Sequence, residues 1–254
     1  ILATGSYVYY LYWNMKETAN KVTDKEQWKG SEKRSLNADL SKGDPVSILL
    51  MGVDQRESDA GRSDSLMMIT LNPKTKSMVM FSIPRDSRTE IVGRGTIEKI
   101  NHAYAYGGVK MQIQTVENFL NGVPIDYYVQ VNMESFKEIV DAIGGVTVNN
   151  KIAFTSGKYD FPVGQVVLNG EKALSFTRMR KNDPRGDFGR TERQRLVVSA
   201  IIDQGAKAFN ITKLTEVLKV IGNNVKTNLS FDEMDLLLSN YKDCRLNTQT
   251  FEVK

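Results

Sequence analysis

Arginine and aspartate side chains occur together in three short segments of this 254-residue sequence, residues 52–65, 82–88 and 177–195. A single Arg/Asp pair on a loop usually forms a surface salt bridge, so it is the repetition that points to a common site. Several arginines held close together repel one another unless an anion lies between them. Guanidinium groups bind phosphate oxygens in pairs, which makes a diphosphate a suitable anion. Aspartates beside a diphosphate suggest Mg²⁺, a hard cation that takes one or two carboxylates together with phosphate oxygens.

The three segments lie at the ends of predicted strands and helices. Asp54 follows an apolar run at residues 46–53 that is typical of a strand buried on both faces. Arg85 follows another predicted strand at residues 77–83. Because ligands of open α/β sheets gather where strands end, we expect these side chains to meet at one edge. The third segment runs into a helix predicted to begin at Arg190, whose free backbone N–H groups favour an anion.

Predicted strands and helices alternate along the chain. Strands are predicted at residues 46–53, 65–71, 77–83, 127–131, 146–148 and 248–253. Helices are predicted at residues 110–120, 133–143, 170–176, 190–209, 214–221 and 231–241. This order indicates an α/β fold, a single three-layer α/β/α domain with a mixed central sheet, preceded by the end of a membrane helix.

The N-terminal residues 1–13 are apolar and aromatic and carry no charged side chain. They are too few to cross a bilayer, which takes about 20 residues, but their tyrosines and Trp13 resemble an interfacial aromatic belt. We therefore interpret residues 1–15 as the remnant of an N-terminal transmembrane helix, 16–44 as a juxtamembrane linker and 45–254 as the extracellular domain. The alternative is a buried element at the start of the domain.

Composition excludes several classes of site. The single cysteine, Cys244, rules out an internal disulfide. The single histidine, His102, rules out zinc sites built on several histidines or cysteines; we assign His102 to packing and the nearby Lys99 to a phosphate contact. There is neither a Walker loop nor a glycine-rich dinucleotide motif. The formal charge of +4 suits an anionic partner, but the arginines are not interleaved with aromatics along one helix, so we expect no nucleic-acid partner.

Five ordered motifs carry a family resemblance. They are ILLMGVD at residues 48–54, RSDS at 62–65, SIPRD at 82–86, KINHAY at 99–104, and TRMR at 177–180 followed by DFGRTERQ at 187–194. From about residue 45 onward the chain resembles the LytR-CpsA-Psr family. The resemblance implies a single-pass protein of the Gram-positive cell membrane with an extracellular catalytic domain. It implies a Mg²⁺-assisted phosphotransferase that moves an anionic glycopolymer, such as wall teichoic acid, from undecaprenyl diphosphate onto a muramic acid hydroxyl of peptidoglycan.

The resemblance also implies a role for each motif residue. Asp54 and Asp64 would hold Mg²⁺. The diphosphate would be bound by Arg62, Arg85, Arg178, Arg180 and Arg190, with Lys99 and Gln194 completing the set. The predicted catalytic residues are Arg85, Asp86, Asp187 and Arg190. The acceptor hydroxyl needs a base, and the two aspartates of that set are the candidates.

Two other functions use the same residues. A polyprenyl-diphosphate hydrolase would replace the sugar hydroxyl by water, and a non-catalytic regulator would bind the lipid carrier without turnover. For any of the three, we expect a long apolar cavity that opens beside the arginines and encloses the lipid tail, because each buried CH₂ contributes about 0.8 kcal/mol.

Overall fold

The computed structural model describes residues 13, 16–17, 20–54, 61–180, 183–208, 217 and 225–253. The strands are β1 Val46–Asp54, β2 Arg62–Asn72, β3 Ser77–Ile83, β4 Arg88–Ile91, β5 Thr96–Lys99, β6 Tyr127–Val131, β7 Val146–Asn150, β8 Phe154–Ser156, β9 Tyr159–Phe161, β10 Gly164–Leu168, β11 Val225–Thr227 and β12 Thr248–Glu252. The helices are α1 His102–Phe119, α2 Met133–Ala142, α3 Gly170–Arg178, α4 Asp187–Ala208 and α5 Phe231–Asn240, with 3-10 turns at Leu40–Lys42 and Lys242–Leu246.

The central sheet has six strands in the order β11-β6-β1-β2-β3-β12. β6 runs parallel to β1 and β12 parallel to β3, and the other neighbours are antiparallel. The predicted mixed α/β sheet is therefore confirmed, and β2 and β3 form a hairpin within it. The strand predicted at residues 146–148 exists as β7, but it pairs with β10 in a separate two-stranded sheet.

Apolar residues on the two sides of β1 pack against different helices. Leu49 and Met51 belong to a buried cluster with Ile113 of α1. Ile48 faces the other way, into a cluster that includes Tyr241 and receives apolar side chains of α4 and α5. Burying such a side chain contributes about 1.5–3 kcal/mol, so both faces of the sheet must be covered. The near-continuous apolar run of β1 follows from this arrangement.

Residues 20–44, which lie within the predicted linker, pack on the domain. Trp28 is buried and its Nε1 donates to the carbonyl oxygen of Ile125 at 2.9 Å. Arg34 Nε lies 2.6 Å from Asp126 Oδ1. This segment is therefore held against the strand that begins at Tyr127. No helix among the described residues is long and apolar enough to cross a bilayer, and residues 1–12 of the predicted membrane helix lie outside them.

Several predicted boundaries differ from the observed ones. Helix α1 begins eight residues before the predicted start at residue 110 and is kinked at Gly107 and Gly108, where φ of Gly108 is 61°. This pair of glycines interrupts the apolar periodicity, which is why only the second part was predicted. Helix α4 begins at Asp187, ahead of the predicted start at Arg190. Apart from residue 217, the helix predicted at residues 214–221 lies outside the described residues.

Candidate functional site

The ends of four strands meet at one edge of the sheet. Val131 at the end of β6 lies opposite Gly52 of β1, and Gly52 lies opposite Ser65 near the start of β2. Leu66 of β2 then lies opposite Ile83, the last residue of β3. This pairing brings the first two Arg/Asp segments to a single edge, as the sequence predicts. We call it the catalytic edge, meaning the ends of β1, β3 and β6 and the start of β2.

Arg85 is held at the catalytic edge by side-chain and backbone contacts. Its Nη1 lies 2.7 Å from Asp64 Oδ1, and its Nε lies 3.9 Å from Asp86 Oδ2. The backbone N–H of Asn101 donates to the carbonyl oxygen of Arg85 at 3.3 Å. Pro84 restricts the backbone just before it. Only 27% of the Arg85 side chain is exposed, so the guanidinium group has a defined position from which to bind an anion.

Lys99 joins the same group of charges. Lys99 is the last residue of β5, and its Nζ donates at 2.5 Å to Oδ1 of Asp86, which lies just before β4. The pKa of Asp86 is lowered, chiefly by this hydrogen bond and further by the charges of Lys99, Arg85 and Arg180. A carboxylate stabilised in this way has a low affinity for a proton. This counts against Asp86 as the base that takes the proton of the acceptor hydroxyl.

Arg180, Asp187 and Arg190 complete the cluster from the other side. Arg190 Nη2 lies 2.8 Å from Asp187 Oδ1, and Arg180 Nε lies 3.7 Å from the same oxygen. Burial lowers the pKa of Arg190, and the positive charges of Arg85 and Arg180 lower it further. Three arginines thus lie close enough to repel one another. Arg190 Nε is buried and has no hydrogen-bond partner within the described part of the chain, which is the condition expected of a site that receives an anion.

The remaining predicted residues lie around this cluster. Gln194 Oε1 accepts a hydrogen bond from Ser65 Oγ at 3.1 Å, so Gln194 lies over the start of β2. Arg62 is exposed at the first position of β2. The guanidinium group of Arg178 contacts Met133 Sδ just after the end of β6, at the same edge but away from Asp187. The backbone of Asp54 pairs with that of Arg62, whereas the Asp54 side chain lies outside the described structure.

A buried ion pair that was not among the predicted site residues supports the start of α4. Arg193 Nη1 lies 2.6 Å from Asp183 Oδ2, and both side chains are almost fully buried. Burial acts to raise the pKa of Asp183, but hydrogen bonds from Arg193 and Arg185 outweigh it and the pKa is lowered. Gly189 packs directly on this carboxylate, since a Cβ at that position would lie 1.7 Å from Asp183 Oδ2. The pair therefore fixes the helical turn that carries Arg190.

Two buried amide side chains near the catalytic edge were also missed. Gln112 of α1 accepts a hydrogen bond from Ser63 Oγ at 2.8 Å, while its Nε2 has no partner among the described residues. Asn101 Oδ1 is likewise buried without a described partner. Asn101 belongs to the KINHAY motif, so the motif could have indicated it as a site residue. Gln112 lies in a helix with no motif around it, so nothing in the sequence pointed to it.

The close approach of Gly189 to Asp183 leads to a stability prediction. Gly189→Ala is expected to lower the free energy of unfolding by about 1–3 kcal/mol, because the new methyl group must displace a buried, ion-paired carboxylate. Gly205→Ala is the matched control, since it lies in the same helix with nothing within 4 Å of the added Cβ. That control should be neutral or slightly stabilising through helix propensity. Urea unfolding of both variants checks this, and equal stability of the two would contradict it.

Two clefts lined by described residues lie near the start of α4. One is bordered by Pro84, Asp187, Phe188, Thr191, Glu252 and Val253. The other is polar and includes Asn150, Arg185 and Glu192. Neither is the long apolar cavity that the sequence led us to expect. Buried side chains such as Leu49, Ile113 and Val116 fill the space between the sheet and α1.

The fold and the cluster together suit a phosphate-binding α/β enzyme that acts by positioning and charge neutralisation. The chain belongs to the LytR_cpsA_psr family, whose profile matches residues 9–254. A protein of Bacillus licheniformis named polyisoprenyl-teichoic acid–peptidoglycan teichoic acid transferase TagU is 52% identical over the whole of this chain and 82% of its own length.

Solved structures agree with this membership. The crystal structure of B. subtilis TagU matches with a TM-score of 0.67 and 49% identity, over 83% of this chain and 84% of that one. The structure of TagT bound to LI-WTA matches with a TM-score of 0.73 and 32% identity, over 89% of this chain and 85% of that one. The family resemblance found in the sequence is thereby confirmed.

Proposed function

We propose that this protein transfers teichoic acid from a polyisoprenyl diphosphate carrier to peptidoglycan. The observation that carries the proposal is the grouping of Arg85, Arg180 and Arg190, in which the partly buried Arg190 has no hydrogen-bond partner for its Nε among the described residues. The transferases named TagU, about half identical over the full chain, support the choice of substrate. The accepting group is a hydroxyl of the peptidoglycan glycan.

The proposed reaction breaks a phosphoanhydride bond and forms a phosphodiester bond. The acceptor hydroxyl oxygen bonds to the phosphorus that carries the teichoic acid, and the bond from that phosphorus to the bridging oxygen of the diphosphate breaks. The products are a teichoic acid–peptidoglycan phosphodiester and polyisoprenyl phosphate. Because such a transfer needs mainly positioning and charge neutralisation, Arg85, Arg180 and Arg190 supply its main requirement. Asp187 is placed beside two of them to accept the hydroxyl proton.

Mg²⁺ is part of this proposal, with Asp64 and Asp54 as its protein ligands. No group of three or more His, Cys, Asp or Glu side chains among the described residues could form a cage made of protein ligands alone. Mg²⁺ bound to a diphosphate needs only one or two carboxylates, and Asp64 offers one of them. Asp64 lies at the catalytic edge and the backbone of Asp54 is at the adjacent strand end. When bound, the ion would neutralise charge on the phosphate oxygens.

The lipid-linked substrate also indicates where in the cell the protein acts. We propose that the protein is anchored at the cell membrane by a single N-terminal helix, with the domain outside the cell. The support is the aromatic, uncharged stretch at residues 1–13 and the polyisoprenyl carrier named for the relatives.

Product analysis separates this function from its alternatives. The purified protein is incubated with a lipid-diphosphate-linked glycopolymer, with and without a peptidoglycan oligomer, and the products are identified by mass spectrometry. We expect a glycopolymer–peptidoglycan conjugate together with polyisoprenyl phosphate. Free phosphorylated glycopolymer alone would instead indicate a hydrolase. Unchanged substrate would indicate a protein that binds the carrier without reaction.

A further inference from the structure

We infer that the cleft between Phe188 and the end of β12 binds the acceptor glycan, an uncharged sugar chain rich in hydroxyl groups; this inference rests on the proposed function. We call it the acceptor cleft. Its border includes Pro84, Asp187, Phe188, Thr191, Arg195 and Glu252. It encloses about 320 Å³ when its open mouth is included.

Asp187 connects the acceptor cleft to the arginine cluster. It lines the cleft, while its Oδ1 lies 2.8 Å from Arg190 Nη2 and 3.7 Å from Arg180 Nε. Pro84, on the opposite border, directly precedes Arg85. A hydroxyl group bound in the cleft would therefore lie between a carboxylate that can take its proton and a phosphate held by the arginines. This is the arrangement that a transfer to a hydroxyl acceptor requires.

The polar groups of the acceptor cleft are held in place before any ligand arrives. Glu252 Oε1 accepts from Arg195 Nη2 at 3.0 Å, and the buried Arg195 also donates from Nη1 to Ser82 Oγ at 3.1 Å. Thr191 Oγ1 donates to the carbonyl oxygen of Phe188 at 2.9 Å, which leaves the hydroxyl oxygen free to accept from a ligand. Fixed hydrogen-bonding groups around an apolar surface are characteristic of small-molecule sites.

Phe188 provides the apolar surface. Its side chain is 46% exposed in the first turn of α4, although phenylalanine usually packs in the interior. A sugar ring has a face of C–H groups and a rim of hydroxyls, so it can cover an aromatic ring and hydrogen-bond to the carboxylates beside it.

Charge and shape decide among the possible occupants. The lining carries two carboxylates, Asp187 and Glu252, against one guanidinium group, that of Arg195, so it lacks the excess of positive charge that would favour an anionic teichoic acid chain. A polyisoprenyl tail in the cleft would take water away from Glu252, the exposed half of the ion pair with Arg195, which is unfavourable for a charged group. An uncharged glycan meets neither difficulty, and it is the other substrate of the proposed reaction.

The test compares Phe188→Ala with wild-type protein in acceptor and donor titrations. We expect the KM for a peptidoglycan oligosaccharide to rise at least tenfold, while the KM for the lipid-linked donor stays within twofold. Phe188→Tyr should restore the acceptor KM because tyrosine keeps the aromatic face, whereas a damaged fold in Phe188→Ala would raise the KM for acceptor and donor together. Leu246→Ala, which removes an exposed apolar side chain outside the cleft, should leave both constants unchanged.

A binding measurement keeps this test separate from that of the proposed function. Calorimetric titration with the peptidoglycan oligosaccharide alone should show binding to wild type and to Phe188→Tyr, and at least tenfold weaker binding to Phe188→Ala. If wild type forms no conjugate but this pattern is observed, the proposed function fails and the acceptor cleft stands. If Phe188→Ala has the unfolding midpoint of wild type and also its acceptor affinity, the inference is overturned.

Discussion

Replacing Arg85 by alanine is expected to lower kcat/KM for transfer by about 100- to 1000-fold, the range found when a fixed charge-stabilising donor is removed. Arg85 is held by Asp64 at 2.7 Å and by the backbone of Asn101, so its guanidinium group is in place before the substrate binds. Charge that develops on the phosphate oxygens would lose this stabilisation. Steady-state kinetics with the lipid-linked donor measure the effect.

Arg88→Ala is the matched control for Arg85. Arg88 lies three positions further along the same loop, at the exposed first residue of β4, and it should change kcat/KM by less than threefold. The kcat/KM of Arg85→Lys should lie between the values of wild type and the alanine variant, because lysine keeps the charge but lacks the planar pair of donors. Equal losses of kcat/KM in Arg85→Ala and Arg88→Ala would show that the position of Arg85 at the catalytic edge does not contribute to transfer.

Replacing Asp64 by alanine is expected to remove the stimulation of transfer by Mg²⁺, a loss of about 100-fold or more if the ion contributes several kcal/mol. The same result is expected for Asp64→Asn, which keeps an oxygen acceptor for Arg85 but loses the negative charge. Activity is measured across a Mg²⁺ titration and after treatment with EDTA. The readout is the ratio of the activity with Mg²⁺ to the activity after EDTA treatment. A ratio is needed because the substitution also removes the partner of Arg85, which lowers both activities.

An exposed aspartate distant from the edge serves as the control for the metal experiment. Asp235→Ala, on α5, should keep the Mg²⁺ response of wild type. If Asp64→Ala is less active but remains as sensitive to EDTA as wild type, Asp64 does not hold the ion. Its contribution would then be limited to positioning Arg85.

The sequence was sufficient to predict the strands that define the catalytic edge. Apolar runs predicted β1, β3 and β6 closely, and the placement of Arg85 and Asp64 after or before such runs predicted that they would meet. Strands of three or four residues, such as β5, were missed because so short a segment carries too little periodicity. The hairpin of β4 and β5 nevertheless matters, since it brings Lys99 to Asp86.

Contacts between distant residues could not be predicted from patterns of spacing. Nothing in the sequence indicates that Glu252 pairs with Arg195, 57 positions earlier. The Asp183 carboxylate occupies space that is free because Gly189 has no side chain. The two residues come this close only in the folded loop before α4, so spacing along the sequence does not predict the contact. For Arg178, the motif predicts a diphosphate ligand, and this stays a prediction. Its guanidinium group contacts Met133, and the motif does not indicate that contact.

The connectivity of the central sheet has a consequence for the order of folding. Strand β12 adds to the edge of the sheet beside β3, and Arg195 reaches back to Ser82 across 113 positions. Gln194 reaches Ser65 across 129 positions. Closing loops of this size has an entropic cost that must be met before the contacts form, and it slows folding. Strands β1 to β3 alone would present Arg85 without Arg190, so the diphosphate site is complete only when α4 has packed on the sheet.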